Sequence, residues 1–269
     1  MDKFTLKKIP TFDIVQTLEC GQVFRYGFKD GRYFVISKDH ILYCKDLGDS
    51  YEFETDDVSY FKNYLDLERD YALIQKEVQD GGFVSEAIEY GKGIHILNQD
   101  VEEMIISFLV SQNNNIPRIK NTIDAFCHSL GKKVDGYYAF PSMEAFANQD
   151  LSFYKECGCG YRAEYIQGVA RDIVSNGLPD LKKMDTDTAR NTLLSYKGIG
   201  RKVADCILLF GLGRKDVFPV DTWIYKAFKN EYPNASPEKM ATLLIQKYGK
   251  NCGFVQQWAF FYKRNFKNI

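Results

Sequence analysis

The stretch K-G-I-G-R-K-V-A-D-C, residues 197–206, decides how the chain is read. Two glycines bracket one isoleucine, two cations follow, and an apolar helix begins at once. Glycine tolerates positive φ and lets another backbone come close, so G-I-G makes a tight turn between two helices. The helix that follows presents unpaired N–H groups and the positive end of its dipole, a place for an anion such as phosphate. Arg201 and Lys202 add charge there. On the turn alone, an ordinary helix–helix connection remains the plainer reading. Lys202 is harder to dismiss. Its cation sits on the unfavourable side of the helix dipole, an environment that favours the neutral, nucleophilic form of an amine. Lys202 and Cys206 are four apart and share one helix face, while Val203, Ile207 and Phe210 form the core-facing stripe.

Working downstream, F-P-V-D-T-W-I places Asp221 at the start of another helix. Such an aspartate is an N-cap, and the dipole keeps its carboxylate ionised. An ionised Asp221 facing Lys202 can stabilise a cationic transition state. Upstream, D-T-D-T-A-R-N-T-L-L is the helix that leads into the hairpin, with Asp185 or Asp187 as its cap. Y-R-A-E-Y-I-Q-G-V-A-R-D-I-V-S-N-G, N-N-N-I-P-R-I-K-N-T-I-D-A-F-C-H-S-L-G and D-V-E-E-M-I-I-S-F-L-V-S-Q carry the helical period, the last with Asp100 as cap and Glu103 three residues on. The first third differs. From G-Q-V-F-R-Y onward it reads as β-strands, with a hairpin at Asp30-Gly31 and a second loop near Gly48-Asp49. The expected fold is therefore α+β: an N-terminal antiparallel β domain over residues 1–84, then a larger all-α domain over 85–269 with the helix-hairpin-helix near 188–210.

Composition narrows the chemistry. The chain has 269 residues, 45% hydrophobic and 26% charged, which is ordinary globular composition, and a net charge of −1, so nucleic-acid binding needs a local patch. No apolar run is long enough to cross a bilayer and the N-terminus lacks an apolar signal stretch, so an intracellular, cytoplasmic protein is expected. Seven cysteines fit reduced thiols better than a disulfide framework. Cys157 and Cys159 have no second Cys or His pair nearby, and the three histidines are scattered, so no metal-based active site is expected.

Five stretches, in order, carry a resemblance. L-E-C-G-Q-V-F-R-Y (18–26), S-F-L-V-S-Q-N-N-N-I-P-R-I (107–119), G-C-G-Y-R-A-E-Y-I (158–166), the hairpin, and V-F-P-V-D-T-W (217–223) resemble segments of the 8-oxoguanine DNA glycosylase branch of the helix-hairpin-helix (HhH-GPD) DNA glycosylase superfamily. The resemblance runs from about residue 18 to about 262. It implies a TBP-like β domain before the glycosylase domain. It implies a bifunctional enzyme of base excision repair that removes 8-oxoguanine, preferably opposite cytosine, from double-stranded DNA, and whose Schiff base allows β-elimination.

The same resemblance assigns roles. Lys202 would attack C1′ and Asp221 would stabilise the oxocarbenium-like state. Cys206 and Phe260 would hold the flipped base between them, Gln256 would read its Watson–Crick edge, and the Gly21 carbonyl would accept N7–H, a hydrogen that guanine lacks. Asn113, Tyr161 and Arg162 would plug and wedge the duplex, and Arg118 would join Arg162 in reading the orphaned cytosine. Gly198, Gly200 and Val203 of the hairpin would contact the DNA backbone. Trp223 stands where relatives often have a phosphate-touching His, and Tyr196-Lys197 replaces the usual Leu-Pro before the hairpin. No cofactor is required, although an alkali ion at the hairpin is an open expectation, as is a monomeric state. A patch of Arg118, Lys120, Arg162, Lys197, Arg201 and Lys202 would supply phosphate affinity. Three alternatives stand beside this reading: a glycosylase for alkylated purines that uses water and Asp alone, a non-catalytic helix-hairpin-helix DNA-binding protein, and a lysine-based aldolase-like enzyme. The last would show a barrel pattern of alternating strands and helices, which this chain lacks.

Overall fold

The computed structural model describes residues 1–134 and 136–266. Strand β1 (Asp2–Lys7) and helix α1 (Ile14–Glu19) precede the meander β2 (Tyr26–Lys29), β3 (Arg32–Ser37), β4 (His40–Asp46) and β5 (Ser50–Thr55). Then follow α2 (Val58–Tyr64), α3 (Tyr71–Val78), α4 (Phe83–Tyr90), α5 (Val101–Ser111) and α6 (Ile116–Leu130). A two-strand pair, β6 (Lys133–Val134) and β7 (Tyr137–Tyr138), precedes α7 (Met143–Ala147), α8 (Leu151–Glu156) and α9 (Arg162–Asn176). The chain closes with α10 (Thr186–Leu194), α11 (Arg201–Gly211), α12 (Thr222–Phe228), α13 (Pro237–Tyr248) and α14 (Cys252–Asn265). This is the α+β order expected: an antiparallel sheet, then helices.

The five-stranded sheet has the order β1-β5-β4-β3-β2, antiparallel throughout. Lys29 pairs with Arg32, so Asp30-Gly31 is a two-residue loop, with φ of 52° and 76° as its primed turn requires. Two features differ from the reading of the sequence. β1, pairing Asp2 with Thr55 through Lys7 with Ser50, was not foreseen, because its partner is some fifty residues away. And G-Q-V-F-R is not strand: residues 20–25 form an irregular loop ahead of β2. Gln22 explains it. Fully buried, its amide donates to Thr17 O (3.0 Å) and His95 O (2.7 Å) and accepts from Leu97 N (2.8 Å), so it bridges two chain segments instead of joining a ladder.

Two cores share the molecule. The smaller lies between the sheet, α1 and α2, around Phe12, Phe53, Phe61 and Tyr64. The larger fills the helical part. The expected division at 84/85 falls inside α4, whereas α3 already buries Tyr71, Ile74 and Val78 in the larger core. The sheet is fastened to the helices by a buried ion pair, Arg25 Nη1 to Glu103 Oε2 at 3.2 Å. Asp100 caps α5 by accepting from Glu103 N (3.0 Å), but the Glu103 carboxyl turns to Arg25 and to Lys38 N (3.1 Å) instead of closing a capping box. Burial pushes that carboxyl above its usual range, against the pull of Arg25.

His95 is stacked flat on Tyr71 with ring centroids 3.7 Å apart, and burial pulls its pKa down to about 4. It is a neutral core residue. All seven cysteines are free thiols, and no described helix is long and apolar enough to cross a membrane.

Candidate active site

The hairpin is built as its glycines demand. α10 is capped by Asp185, whose carboxylate accepts from Thr188 N (2.9 Å). The turn closes through Ile199 N to Tyr196 O (3.1 Å), and Gly200 becomes the N-cap of α11 with no side chain in the way. Gly198 has φ +94°, and a Cβ there would meet the Tyr165 ring at 2.4 Å, so no other residue fits. Gln112 Nε2 holds the Gly198 carbonyl at 3.1 Å and ties the hairpin to the loop after α5. Beneath the turn, buried Asp205 accepts from Arg190 Nε at 2.6 Å and lies 3.5 Å from Arg201 Nε, locking α10 to α11.

Lys202, on the first turn of α11, is partly buried and faces a cavity of about 440 Å³. Its ammonium lies 5.5 Å from the centre of the Phe108 ring, which stacks on Phe210 at 5.5 Å. The same cavity is lined by Gly21, Cys206, Asp221, Trp223, Gln256 and Phe260. Residues from four distant parts of the chain thus meet around one space.

Asp221 caps α12 as expected, accepting from Trp223 N (3.0 Å) and Ile224 N (2.8 Å). Its electrostatics differ from the expectation. Burial pushes its carboxyl above the ordinary aspartate range, and the two cap hydrogen bonds and the Lys202 charge only oppose that rise. Cys206 is 4% exposed, and burial pushes its thiol up to about 11 despite the neighbouring Lys202. It offers a neutral, polarisable surface and no thiolate.

The far wall is α14. Gln256 and Phe260 are one turn apart, and both face the cavity. Gln256 is 5% exposed and its Oε1 has no hydrogen-bond partner, a costly state for a buried acceptor. Gly21 packs against this wall. Its φ is +93°, and a Cβ there would lie 3.0 Å from Phe260 Cε1. Its carbonyl accepts no hydrogen bond among the described residues. The loop around it is held by residues the sequence reading missed: Gln257 Nε2 donates to Cys20 O (3.0 Å) and Arg264 Nη2 to Glu19 O (2.6 Å). Only their spacing from Phe260 on α14, three residues before it and four after it, could have suggested them.

Of the expected duplex-contacting residues Trp223 lines the cavity; the others lie outside it and divide into two groups. Asn113 is exposed in a left-handed conformation (φ 45°), Tyr161 is 54% exposed, and Arg118 is exposed with no side-chain partner among the described residues. Arg162 and Val203 differ in that their side chains are buried. Arg162 is 6% exposed; its guanidinium donates to the carbonyls of Gln112, Asn113 (2.8 Å) and Cys159 (3.2 Å). It braces the loop carrying Asn113 and has no free fork to offer a base. The Val203 side chain is buried at 4% in the core, so the main-chain N–H of this third residue of α11 is the group it has for a DNA backbone. Of the expected cationic patch, Lys120 is also engaged, over the Tyr26 ring at 3.7 Å and with Tyr26 O at 2.9 Å. Lys197 lies 3.7 Å from Glu164. Among the described residues no three His, Cys, Asp or Glu side chains cluster as metal ligands.

This geometry has known counterparts. Residues 106–249 match the family model of the HhH-GPD superfamily base excision DNA repair proteins, and residues 5–105 match that of the 8-oxoguanine DNA glycosylase N-terminal domain. The chain is 33% identical to an N-glycosylase/DNA lyase of Arabidopsis thaliana over 63% of its length, and 34% identical to one of Saccharomyces cerevisiae over 58%. It spans about half the length of these curated relatives, 52% and 46%. Among solved structures, the 8-oxoguanine glycosylase/lyase of Clostridium acetobutylicum, in complex with double-stranded DNA containing cytosine opposite 8-oxoG, superposes with a TM-score of 0.93 at 31% identity, covering 99% of this chain and 96% of that one.

Proposed function

The chain belongs to the HhH-GPD superfamily of base excision DNA repair proteins, in its 8-oxoguanine glycosylase branch, and from that premise we propose that it removes 8-oxoguanine from double-stranded DNA with Lys202 as nucleophile. One observation carries the reading: an amine and a carboxyl, Lys202 and Asp221, share a cavity with an aromatic platform and an unsatisfied buried amide.

The chemistry follows from these positions. The damaged nucleotide leaves the stack and enters the cavity, where Phe260 and Cys206 take its two faces. Gln256 reads the Watson–Crick edge. The Gly21 carbonyl accepts the N7–H of the oxidised base; with normal guanine it would face the lone pair of N7, leaving two acceptors unpaired. Once its proton is given up, Lys202 Nζ attacks C1′ while the C1′–N9 bond breaks, and the electron pair of that bond leaves with the base, which takes up a proton. Asp221 in its carboxylate form stabilises the cationic sugar. The attached amine then opens the ring to an imine. Loss of a C2′ proton with departure of the 3′ phosphate nicks the strand, and water returns the free lysine.

The hairpin and the open start of α11 hold the DNA backbone, with Arg201 and Trp223 nearby. Asn113 fills the place of the lost base, Tyr161 wedges the duplex, and Arg118 reads the orphaned cytosine with its free fork. The enzyme acts as a monomer. An alkali ion under the hairpin would share the carbonyls of Tyr196 and Gly198, already bound to Ile199 N–H and Gln112 but each with a second lone pair; no step depends on it.

The test is base release from duplexes carrying one 8-oxoguanine opposite each of the four bases. Release that is fastest opposite cytosine is expected. Release of an alkylated purine with none of 8-oxoguanine would overturn the substrate assignment, and binding without release would leave a non-catalytic DNA-binding protein.

A further inference from the structure

Arg264 has no role in the chemistry above, yet its guanidinium lines the same cavity. Nη2 donates to Glu19 O at 2.6 Å. Nη1 is buried and has no hydrogen-bond partner. A buried cationic donor left empty is expensive, so Nη1 needs an acceptor that the protein does not supply. Its surroundings say where that acceptor would lie. A Cβ on Gly21 would sit 2.6 Å from Nη1, so the donor is at the backbone that carries the N7-reading carbonyl. The guanidinium carbon is 5.4 Å from the centre of the Phe260 ring, beside the stacking platform.

Gln256, Phe260 and Arg264 follow at intervals of four on α14, along one face. The two unpartnered polar atoms of this wall, Gln256 Oε1 and Arg264 Nη1, thus stand at opposite ends of the Phe260 platform. Their Cα atoms are about 12 Å apart at 1.5 Å rise per residue, a span that a purine and two side chains fill. A base stacked on Phe260 with its Watson–Crick edge toward Gln256 turns its imidazole edge toward Arg264. On the oxidised base that edge carries N7–H and, next to it, the O8 carbonyl.

Resting on the glycosylase reading above, we propose that Arg264 is a specificity-determining residue whose Nη1–H donates to O8 of the flipped base. Gly21 and Arg264 together then match a donor–acceptor pair, N7–H and O8, that guanine does not have. Guanine would offer a lone pair to the carbonyl and a C–H to the guanidinium.

The test compares two lesions opposite cytosine in single-turnover base release: 8-oxoguanine, and 8-thioguanine, which keeps N7–H but replaces O8 by a weak sulfur acceptor. Wild type is expected to favour the oxo base. Arg264→Met is expected to slow release of the oxo base about tenfold to hundredfold, the range of a hydrogen bond to a charged group, and to leave the thio base nearly unchanged, so that the preference collapses. Equal slowing of both bases would overturn the proposal and reduce Arg264 to a brace for the Glu19 carbonyl. So would a wild type with no oxo preference. Should the methionine variant fail to fold, Arg264→Lys replaces it: a single ammonium lacks the planar fork that sets one donor on Glu19 O and the other toward O8, so the same collapse is expected. A wild type that releases neither base defeats the glycosylase reading itself, and this outcome is seen before any variant is made.

Discussion

The base cavity and the duplex-facing rim solve recognition in opposite ways. The cavity is held from all sides: Gln22 and Gln257 fix the loop around Gly21, Asp205 locks the hairpin, and buried polar atoms on Gln256 and Arg264 wait without partners. The rim is exposed. Asn113 is held left-handed at φ 45°, and Tyr161 and Arg118 stand in solvent. Only the carbonyls beneath Asn113 are gripped, by Arg162. On the proposed function, the difference means that selection of the lesion is preorganised in the free protein, whereas selection of the opposite base is completed on DNA. Preorganised groups give their full interaction to the bound state; exposed side chains first lose rotamer freedom.

The largest effect should come from the cavity. Lys202→Gln removes the nucleophile and is expected to lower base release by about 10³-fold or more, roughly 4 kcal/mol of barrier, with affinity for the damaged duplex retained; single-turnover release and a binding titration check both. Asp221→Asn should cost about 10²-fold in release. The same variant should also be more stable. Burial raises the Asp221 carboxyl in the folded state, so the stability tied to its proton is complete below the ordinary carboxylate range and is lost as pH rises through the raised value. At neutral pH the wild type carries that cost. Asparagine keeps the cap without the charge, and Tm at pH 7 should rise. A fall in Tm would show that the carboxylate stabilises the fold.

A smaller effect is expected between the two regions. Arg162→Ala frees the carbonyls of residues 112 and 113, and should lower Tm by several degrees and blunt discrimination of the opposite base without abolishing release opposite cytosine. The smallest belongs to the rim. Arg118→Ala should cost about 1–3 kcal/mol of preference for cytosine and leave Tm within error, since its side chain has no partner among the described residues. If Arg118→Ala were as damaging as Lys202→Gln, the contrast between a built cavity and an open rim would fail.

What was legible in the sequence follows the same divide. Lys202 and Asp221 announce themselves by local chemistry, a cation at a glycine-capped helix start and a carboxylate at a helix cap, whereas Gln256 and Phe260 are marked only by the family resemblance. The helices could be read from their period and the β2–β3 hairpin from Asp30-Gly31. What could not be read depends on contacts far apart in the chain. Gln257 meets Cys20 across 237 positions and Arg264 meets Glu19 across 245. The raised Asp221 and the engaged Arg162 are products of burial, and no spacing rule reports burial of a single charged group. G-Q-V-F-R carried a strand-like composition, but a positive φ at Gly21 and the cross-links of Gln22 outweighed it.

The most direct test of the central role given to Lys202 is borohydride trapping on duplexes holding 8-oxoguanine opposite cytosine, with wild type beside Lys202→Gln. A covalent protein–DNA product in wild type that is absent from the variant is the predicted result. Base release by wild type with no trapped species would contradict it, and would move the chemistry to water and Asp221 alone.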